Sequence, residues 1–545
     1  MSSTDSFAAM KRQASEGGIG RREFVQMGLA AGLTVASATD LYAASRKKKD
    51  AAAADAPPPE PVGPKRGGDF KMATASGFFK DSLDPATWRN TFTADIGQMI
   101  GSTLASVDAK NVPQPDLAQS FEPADGGKKW VFKLKSGVTF HNGKTLTADD
   151  VVATYAYHRN KKNASLARAN LSGIVDIKAD GPNQVVFTLL EPHADFPYVT
   201  SDMHLPIFAA KDGGIDFATA SGTGPYIMDV FKPGVKFTAH RNPNYHKPDA
   251  AWFDTVEMSL IAEAAKRHNM LLNGTVHYID QLNVQNLGEL KRNRAVKITD
   301  VAGFGHYVAP MNCGVQPFSD VKVRQAIKWA INRDELVRRL RGGYGAVGND
   351  VPLSPSMRYA AQISPKYGYD PEKAKALLRI AGYNSLKLSL SASDAAFPGA
   401  LDAAAAIKAS ARKANIDITV VNEPAEGYHD LVWMKKPWVM SYWNGRATAD
   451  WMFSTAYSDE AQWNDSSWKY PKFNDLLKSA RAEMNDAKRV EKYTEMQQIL
   501  HDDGGALVLM FDNYVSAHST KVAHGDLNSN ADHDGGQMFE KWWMA

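Results

Sequence analysis

Leu117 to Val152 read LAQSFEPADGGKKWVFKLKSGVTFHNGKTLTADDVV. Bulky apolar side chains alternate with other residues from Trp130 to Lys135, which predicts a strand with one buried face. After two turns, Thr147 is a candidate N-cap of a helix. Asp149 and Asp150 then occupy the first helical turn, where the positive end of the helix stabilises carboxylates. The stretch predicts a strand, turns and a capped helix, and it contains no group of residues that could perform chemistry.

The order of residues in this stretch nevertheless resembles one protein family. The pattern W-x-F-x-L-K-x-G-V-x-F-H-N-G-x-x-L-T-A-D-D-V resembles the signature region of the extracellular solute-binding proteins of family 5, the peptide/nickel/opine class. Members of this family are the capture subunits of ABC importers. The resemblance covers about residues 67–545, because further family motifs follow in order: GTGPY at 222–226, NPxY at 242–245, PFxDxxVRQAI at 317–327 and EKAKxLLxxAGY at 372–383.

Length and charge bound the possible functions. A chain of 545 residues is too long for one core, so two or more domains are expected. Residues 1–49 hold eight Lys/Arg and four Asp/Glu, a net charge of +4, whereas the remainder holds 55 and 56, a net charge of −1. A nearly neutral body argues against nucleic acid or an anionic membrane as the main partner. The single cysteine, Cys313, excludes a disulfide within the chain and a multi-cysteine metal site.

The N-terminus resembles a twin-arginine export signal. Arg21 and Arg22 precede the short apolar run Met27 to Ala38, and small residues suitable for cleavage follow at 36–38 and 42–44. The run is too short to span a bilayer stably. The alternative interpretation is a basic N-terminal helix. We expect residues 1–44 to be a signal peptide, which predicts a periplasmic protein.

The resemblance implies an α/β, bilobal periplasmic-binding-protein fold of type II, from the group with an extra subdomain in the first lobe. The residues agree, since strand and helix patterns alternate as in βαβ units at 253–280 and 386–421. The family comparison and composition together predict these boundaries: an Ala/Pro/Lys-rich linker at 45–66, lobe I at 67–105, 216–310 and 506–545, an inserted subdomain at 106–215, and lobe II at 311–505.

Val439 to Trp468 is the most informative stretch for function. It holds four tryptophans in a segment rich in Gly, Asn, Asp and Ser, which cannot form a long helix or strand. Aromatic clusters usually fill cores, so packing is the competing interpretation. We expect contact with a ligand, and the candidate binding residues are Tyr442, Trp443, Arg446, Asp450 and Trp451.

The resemblance assigns a role to Asp450, since an acidic residue at the corresponding position of peptide-binding members holds the ligand's α-ammonium. A buried carboxylate needs a cation, and a ligand amine would supply it. Dipeptide-binding members also carry an arginine that grips the ligand carboxylate, but residues 401–403 of this chain contain none. Either Arg446 substitutes for it, or the ligand lacks a carboxylate at that end. A peptide, an amino-acid derivative, an opine and an organic amine all remain open.

Catalysis is the rival class. The histidines are scattered, and the chain has neither HExxH nor GxSxG, so we expect no enzyme, no cofactor and no metal ligands. A carrier of nickel or haem complexes with the same fold is the alternative function, and a periplasmic hydrolase is a more distant one. The expected partners are a peptide or amine-bearing ligand and a membrane ABC permease, and the protein is expected to be a monomer.

Overall fold

The computed structural model describes residues 23, 24, 26, 27, 63–211, 214, 215 and 217–545. The chain divides into two units, Met1–Gly63 and Pro64–Ala545. In the first unit, residues 23, 24, 26 and 27 have helical backbone. The predicted arginine pair, both cleavage sites and most of the predicted linker lie outside the described residues. Within the described part of the chain, no helix is both long enough and apolar enough to cross a membrane.

The second unit mixes helices and strands throughout its length. Its strands are β1 (Asp69–Thr74), β2 (Ala105–Val107), β3 (Pro113–Pro115), β4 (Ala118–Ala124), β5 (Lys129–Leu134), β6 (Ile174–Ala179), β7 (Gln184–Leu189), β8 (Ala210–Lys211), β9 (Gly214–Ile215), β10 (Tyr226–Lys232), β11 (Lys236–Arg241), β12 (Thr255–Leu260), β13 (Tyr278–Ile279), β14 (Val296–Val308), β15 (Gly345–Val347), β16 (Leu386–Ala392), β17 (Ile416–Asn422), β18 (Ser441–Trp443), β19 (Val508–Ser519), β20 (Val522–Ala523) and β21 (Trp543–Met544). Its helices are α1 (Thr91–Ile100), α2 (Ala148–Arg159), α3 (Phe196–Val199), α4 (Ala264–Leu272), α5 (Gly288–Arg292), α6 (Val321–Ala330), α7 (Arg333–Arg341), α8 (Pro371–Ile380), α9 (Ala400–Ala411), α10 (Tyr428–Leu431), α11 (Ala449–Ala456), α12 (Pro471–Ala482), α13 (Asp486–Asp503), α14 (Asp532–Gly535) and α15 (Met538–Lys541).

A large mixed sheet gathers strands from distant parts of the sequence. Its order is β10-β11-β12-β1-β13-β19-β14-β18, and β15 also pairs with β19. β1 is parallel to β12 and β13, whereas β19 runs antiparallel to β13 and β14. The first-lobe core, which includes Phe70, Met72 and Tyr278, packs on this sheet. The alternation of α and β elements confirms the predicted α/β class.

β14 and β19 cross from one hydrophobic core to another. Near the far end of β19, Val515 and Ala517 pack with Ala73 beside the first-lobe core. Earlier in the same strand, Val508 and Phe511 pack in the second-lobe core with Trp443. At the ends of both strands, the backbone N–H of Ala309 donates to the carbonyl of Leu507 at 2.9 Å. β14 and β19 therefore connect two hydrophobic cores and hydrogen-bond to each other along their length.

The stretch from Leu117 to Val152 supplies β4 and β5 of a separate antiparallel sheet of order β4-β5-β7-β6. Trp130, Phe132 and Leu134 are buried on one face, as the alternation predicts. α2 covers that face, and it begins with a capping box in which Thr147 and Asp150 bond each other's backbone. The Asp150 carboxylate also accepts from Lys144 and from the N–H of Ala210, so the cap anchors the sheet to a neighbouring strand.

The second lobe has its own parallel strand pair. β16 and β17 pair in parallel over seven residues, with α9 as the crossover, which confirms the predicted βαβ unit. α6 begins after Asp320, whose side chain accepts from the N–H of Lys322 at 2.7 Å. α6 packs on α8 beside this unit. Two helices, α12 and α13, follow one another near the end of the chain and are separated by residues 483–485.

The glycines of GTGPY lie where two backbones approach closely. Neither Gly222 nor Gly224 has a positive φ, so a turn conformation does not explain them. A Cβ on Gly224 would lie 2.4 Å from the carbonyl oxygen of Met99, and one on Gly222 would lie 2.1 Å from that of Ile100. Glycine is required here because two backbones approach closely, at the end of α1.

Candidate functional site

The predicted site begins on an edge strand of the large sheet. β18 is antiparallel to β14, with Trp443 opposite His306 and Tyr442 opposite Tyr307. Because strand side chains alternate, Ser441 and Trp443 are buried, whereas Tyr442 is 40% exposed. Trp443 belongs to the second-lobe core. The aromatic segment therefore contributes to the core through Trp443 and to the surface through Tyr442.

Asp450 lies in the first turn of α11. Thr448 caps this helix by accepting from the N–H of Trp451 at 3.1 Å. The buried carboxylate of Asp450 accepts from Nε of Arg481, which lies 3.1 Å from each of its oxygens. Arg481 also donates to the Ser454 hydroxyl. The sequence suggests that a ligand amine supplies the cation for Asp450, but in this structure Arg481 supplies it.

Arg446 is a half-buried cation without an acidic partner. Its guanidinium donates to the carbonyl of Asn444 at 2.9 Å and lies 5.7 Å from the ring centroid of Trp451. No Asp or Glu among the described residues forms an ion pair with it. Burial lowers the pKa of Arg446. A guanidinium that is held by a carbonyl and an indole ring, and is not neutralised, can accept an anionic group of a ligand.

A second buried carboxylate, Asp465, lies beneath the indole rings of this region. Its Oδ2 accepts from Nε1 of Trp443 at 3.2 Å and from Nε1 of Trp433 at 3.3 Å. The ring centroid of Trp443 lies 6.0 Å from that of Trp433 and 6.3 Å from that of Trp463. Burial raises the pKa of Asp465 to about 7, although the two indole donors oppose the rise.

A cavity of about 360 Å³ adjoins this segment. One wall comes from residues 169–199 beside the four-stranded sheet, and the other comes from residues 448–481 of the second lobe. Asp450 and Trp451 line the cavity, together with Thr448, Ser454 and Arg481. Tyr442, Trp443 and Arg446 are not among the lining residues, although Arg446 packs against Trp451. The structure thus brings two of the five predicted residues to the cavity wall and a third next to it.

Two charged residues of the site are not predicted from sequence. Arg481 is 31 residues from Asp450, on α12, and no local pattern links the two. Asp465 lies inside the aromatic stretch, and its density of nearby tryptophans is the signal that could have found it. Trp433, whose indole N–H donates to Asp465, and Trp463, which packs on Trp443, also lie outside the predicted set.

One group among the described residues has the composition and spacing of a metal site. It consists of Asp280, Asp532 and His533, whose ligand atoms lie within 4.8 Å of one another. His533 already donates from Nδ1 to Asp95 at 2.6 Å, and the surrounding carboxylates raise its pKa well above the usual value. His533 also lies 3.3 Å from Asp280 through Nε2, so these side chains form a buried ion cluster that ties the C-terminal segment to α1 and to the end of β13.

Comparison with known proteins agrees with the fold and the segment order. The family model for bacterial extracellular solute-binding proteins, family 5, matches residues 112–465. The dipeptide-binding protein of Escherichia coli K12 is 28% identical over 457 residues, covering 74% of this chain and 81% of its own length. The glutathione-binding protein GsiB of Shigella dysenteriae is 25% identical over 476 residues, covering 83% of this chain and 91% of its own.

A solved structure gives the same result for the fold. The ABC transporter-associated periplasmic binding protein DppA from Helicobacter pylori, in complex with the peptide STSA, superposes with a TM-score of 0.69 at 23% sequence identity. The match covers 88% of this chain and 98% of the other. The predicted periplasmic-binding-protein fold is confirmed. This chain belongs to the bacterial extracellular solute-binding proteins of family 5, which are the non-enzymatic substrate-binding subunits of ABC importers.

Proposed function

We propose that the protein captures a peptide or another amine-bearing small solute between its lobes and delivers it to a membrane ABC permease. The observation that carries this proposal is the segment 442–451, which places an unpaired guanidinium, a carboxylate and indole rings beside a cavity of about 360 Å³. Charged groups of both signs among aromatic rings suit a zwitterionic solute. Relatives that are named for binding dipeptides and glutathione support the same class of ligand.

The proposed roles follow from the surroundings of each side chain. Arg446 would pair with a ligand carboxylate, and Trp451 would pack against the body of the ligand. Tyr442 would contact the ligand from the surface, and Trp443 would hold the strand in place from the core side. Asp450 would contact a ligand amine only by sharing its carboxylate with Arg481.

Capture between lobes requires a hinge. We propose lobe I at 67–105, 216–310 and 506–545, the inserted subdomain at 106–215 and lobe II at 311–505. The hinge would lie where β14 and β19 leave the first-lobe core, because only backbone torsions in these crossings need to change. The protein would work as a monomer, since one chain supplies both lobes.

A thermal-shift screen tests the ligand class. The chain from about Asp50 onward is mixed with peptides, glutathione, opines, amines, and nickel and haem complexes. A ligand at 100 times its Kd stabilises the folded state by about 2.7 kcal/mol, which raises the melting temperature measurably. We expect zwitterionic compounds to give the shift. Shifts from nickel or haem complexes alone would contradict the proposal.

Arg446→Gln tests the proposed carboxylate contact. We expect the variant to lose most of the shift given by a carboxylate-bearing ligand. Arg379→Gln is the matched control, because Arg379 is exposed on α8. An unchanged shift in Arg446→Gln would show that Arg446 is not part of the site.

Export by the twin-arginine route is a separate part of the proposal, supported by Arg21, Arg22 and the apolar run after them. Replacing both arginines with lysine retains the charge and removes the motif. We expect the protein to remain in the cytoplasmic fraction of the double variant. Normal recovery from the periplasm would contradict the proposed route.

A further inference from the structure

We infer that Asp465, whose carboxylate accepts from the indole N–H groups of Trp433 and Trp443, binds the cationic group of the ligand. This inference rests on the proposed function, because it names the end of the same site that takes an ammonium. The class of group is a primary or quaternary alkylammonium, which both a carboxylate and aromatic faces attract. Asp450, the acidic residue suggested by the family resemblance, is then not the main anchor.

The two carboxylates differ in their charge balance. Asp450 already has a resident cation, since Arg481 contacts both of its oxygens at 3.1 Å. For Asp465, no Lys, Arg or His among the described residues comes within ion-pair distance. Its neighbours are neutral indole donors, and Asp465 is only 8% exposed. An ionised carboxylate at such a position costs free energy that an incoming cation would recover.

The rings make the surroundings of Asp465 suitable for an organic cation. Trp433 and Trp443 meet at an interplanar angle of 70°, and Trp463 is tilted by 46° to Trp443. Trp433 and Trp443 direct their N–H groups at the carboxylate, and Trp463 packs on Trp443, so ring surface lies close to the carboxylate oxygen. Ring faces attract cations by about 1–2 kcal/mol each when the cation is desolvated. The arrangement thus combines a full negative charge with several weaker attractions.

The cluster has an exposed side. Trp463 is 40% exposed, and so is Tyr442, which neighbours Trp443 on β18. Arg446 follows three residues after Trp443, whose indole N–H donates to Asp465, so Trp443 links the proposed cation and anion contacts. Trp443 therefore has two roles: it packs in the core, and its indole N–H orients the Asp465 carboxylate.

Among the described residues, few titratable groups lie near Asp465. His429 contacts Trp433 at 6.1 Å between ring centroids, and Asp465 contributes to the raised pKa of Tyr457. No charged side chain contributes to the shift of Asp465 itself, so burial dominates. A change in the ionisation of Asp465 near neutral pH should therefore change the affinity of the protein for a cationic ligand.

Calorimetric titration with choline, alanyl-alanine and glutathione tests the inference. The proteins are wild type, Asp465→Asn and Asp450→Asn, because asparagine keeps an oxygen that can accept from both indoles. For a probe that binds wild type, we expect Asp465→Asn to weaken binding at least tenfold and Asp450→Asn to weaken it less than threefold. Trp463→Phe, on the exposed side, should weaken binding severalfold without a change in melting temperature.

The pH profile separates ligand contact from a structural role. Choline keeps its charge at all pH values, so any pH dependence of its binding comes from the protein. With a pKa of about 7, the ionised fraction of Asp465 rises about tenfold from pH 6 to pH 8. Choline affinity should follow this rise in wild type and stay flat in Asp465→Asn.

The possible failures are distinct. A probe that binds wild type and Asp465→Asn equally would overturn the inference and leave the proposed function standing. If zwitterionic peptides bind but lose affinity only in Asp450→Asn, the anchor is Asp450 and the inference is wrong. If no amine-bearing compound binds wild type, the proposed function itself is wrong, and the inference falls with it.

Discussion

At the scale of single residues, the site contains two buried carboxylates that differ in what surrounds them. Asp450 lies against a guanidinium, and Asp465 lies against two indole N–H groups. A cation keeps a buried carboxylate ionised, whereas neutral donors offset burial only in part. Ionised Asp465 therefore lowers the stability of the empty protein, which is a cost that ligand binding can reverse.

Asp465→Asn should stabilise the empty protein. Burial raises the pKa of Asp465 from 3.8 to about 7, so the folded state binds the proton more tightly than the unfolded state. The free energy of unfolding therefore falls as pH rises between about 4 and 7, and it is then constant. We expect the gain from Asp465→Asn to grow over that range to a few kcal/mol. Urea denaturation at pH 4, 6 and 8 measures it, and a gain independent of pH would contradict this explanation.

At the scale of elements, helix ends and close contacts between backbones position the site. α11 begins at its cap, Thr448, and this places Asp450 and Trp451 on the first turn. The end of α1 meets the GTGPY segment so closely that no side chain fits between them. These junctions are local in space, but only the first is local in sequence.

Gly224→Ala tests the contact between backbones. A methyl group 2.4 Å from the Met99 carbonyl oxygen forces α1 away from the segment that follows the inserted subdomain. We expect a loss of about 2–4 kcal/mol in the free energy of unfolding, as for other severe overpacking. Gly368→Ala is the matched control, because a Cβ there meets no atom within 4 Å and φ is not positive. Equal effects of the two substitutions, measured by chemical denaturation, would contradict the interpretation.

The elements that sequence predicts are those set by nearby residues. The capping box of Thr147 and Asp150, the cap at Asp320 and the alternation from Trp130 to Leu134 all act within a few positions. The Asp450–Arg481 pair spans 31 residues, and the bond from Trp433 to Asp465 spans 32. Such pairs depend on how helices and loops pack. The sequence therefore identified the segment of the site, but it did not show that Arg481 pairs with Asp450 or that indole N–H groups hold Asp465.

At the scale of the whole molecule, the inserted subdomain is tied to the second lobe by a buried ion pair. Asp195 precedes α3, and its carboxylate accepts from Arg489 of α13 at 2.5 Å. The two side chains are 2% and 6% exposed. Beside them, the N–H of Ala194 donates to the carbonyl of Arg481 at 2.8 Å, next to the cavity. Any opening of the lobes that separates these elements has to break this pair.

Asp195→Asn should destabilise the contact between subdomain and second lobe. Removal of one partner leaves the buried Arg489 charge uncompensated, which costs roughly 3–5 kcal/mol in comparable pairs. Asp176→Asn is the control, because Asp176 pairs with Lys178 at the surface, where a pair is worth under about 1 kcal/mol. Denaturant titration compares them, and a loss no larger than the control's would contradict the role of Arg489 as a buried partner.

The crossing strands have a consequence for the order in which the protein is made. β19 lies between β13 and β14 in the large sheet, yet it is completed only after residue 519. The ribosome has by then already released most of the second lobe, whose entry and exit points meet at Ala309 and Leu507. Most of the second lobe can fold during synthesis, because domains generally fold as units as the chain emerges, although Val508 and Phe511 of β19 still have to join its core. The large sheet therefore stays incomplete between β13 and β14 until about the last forty residues have been synthesised.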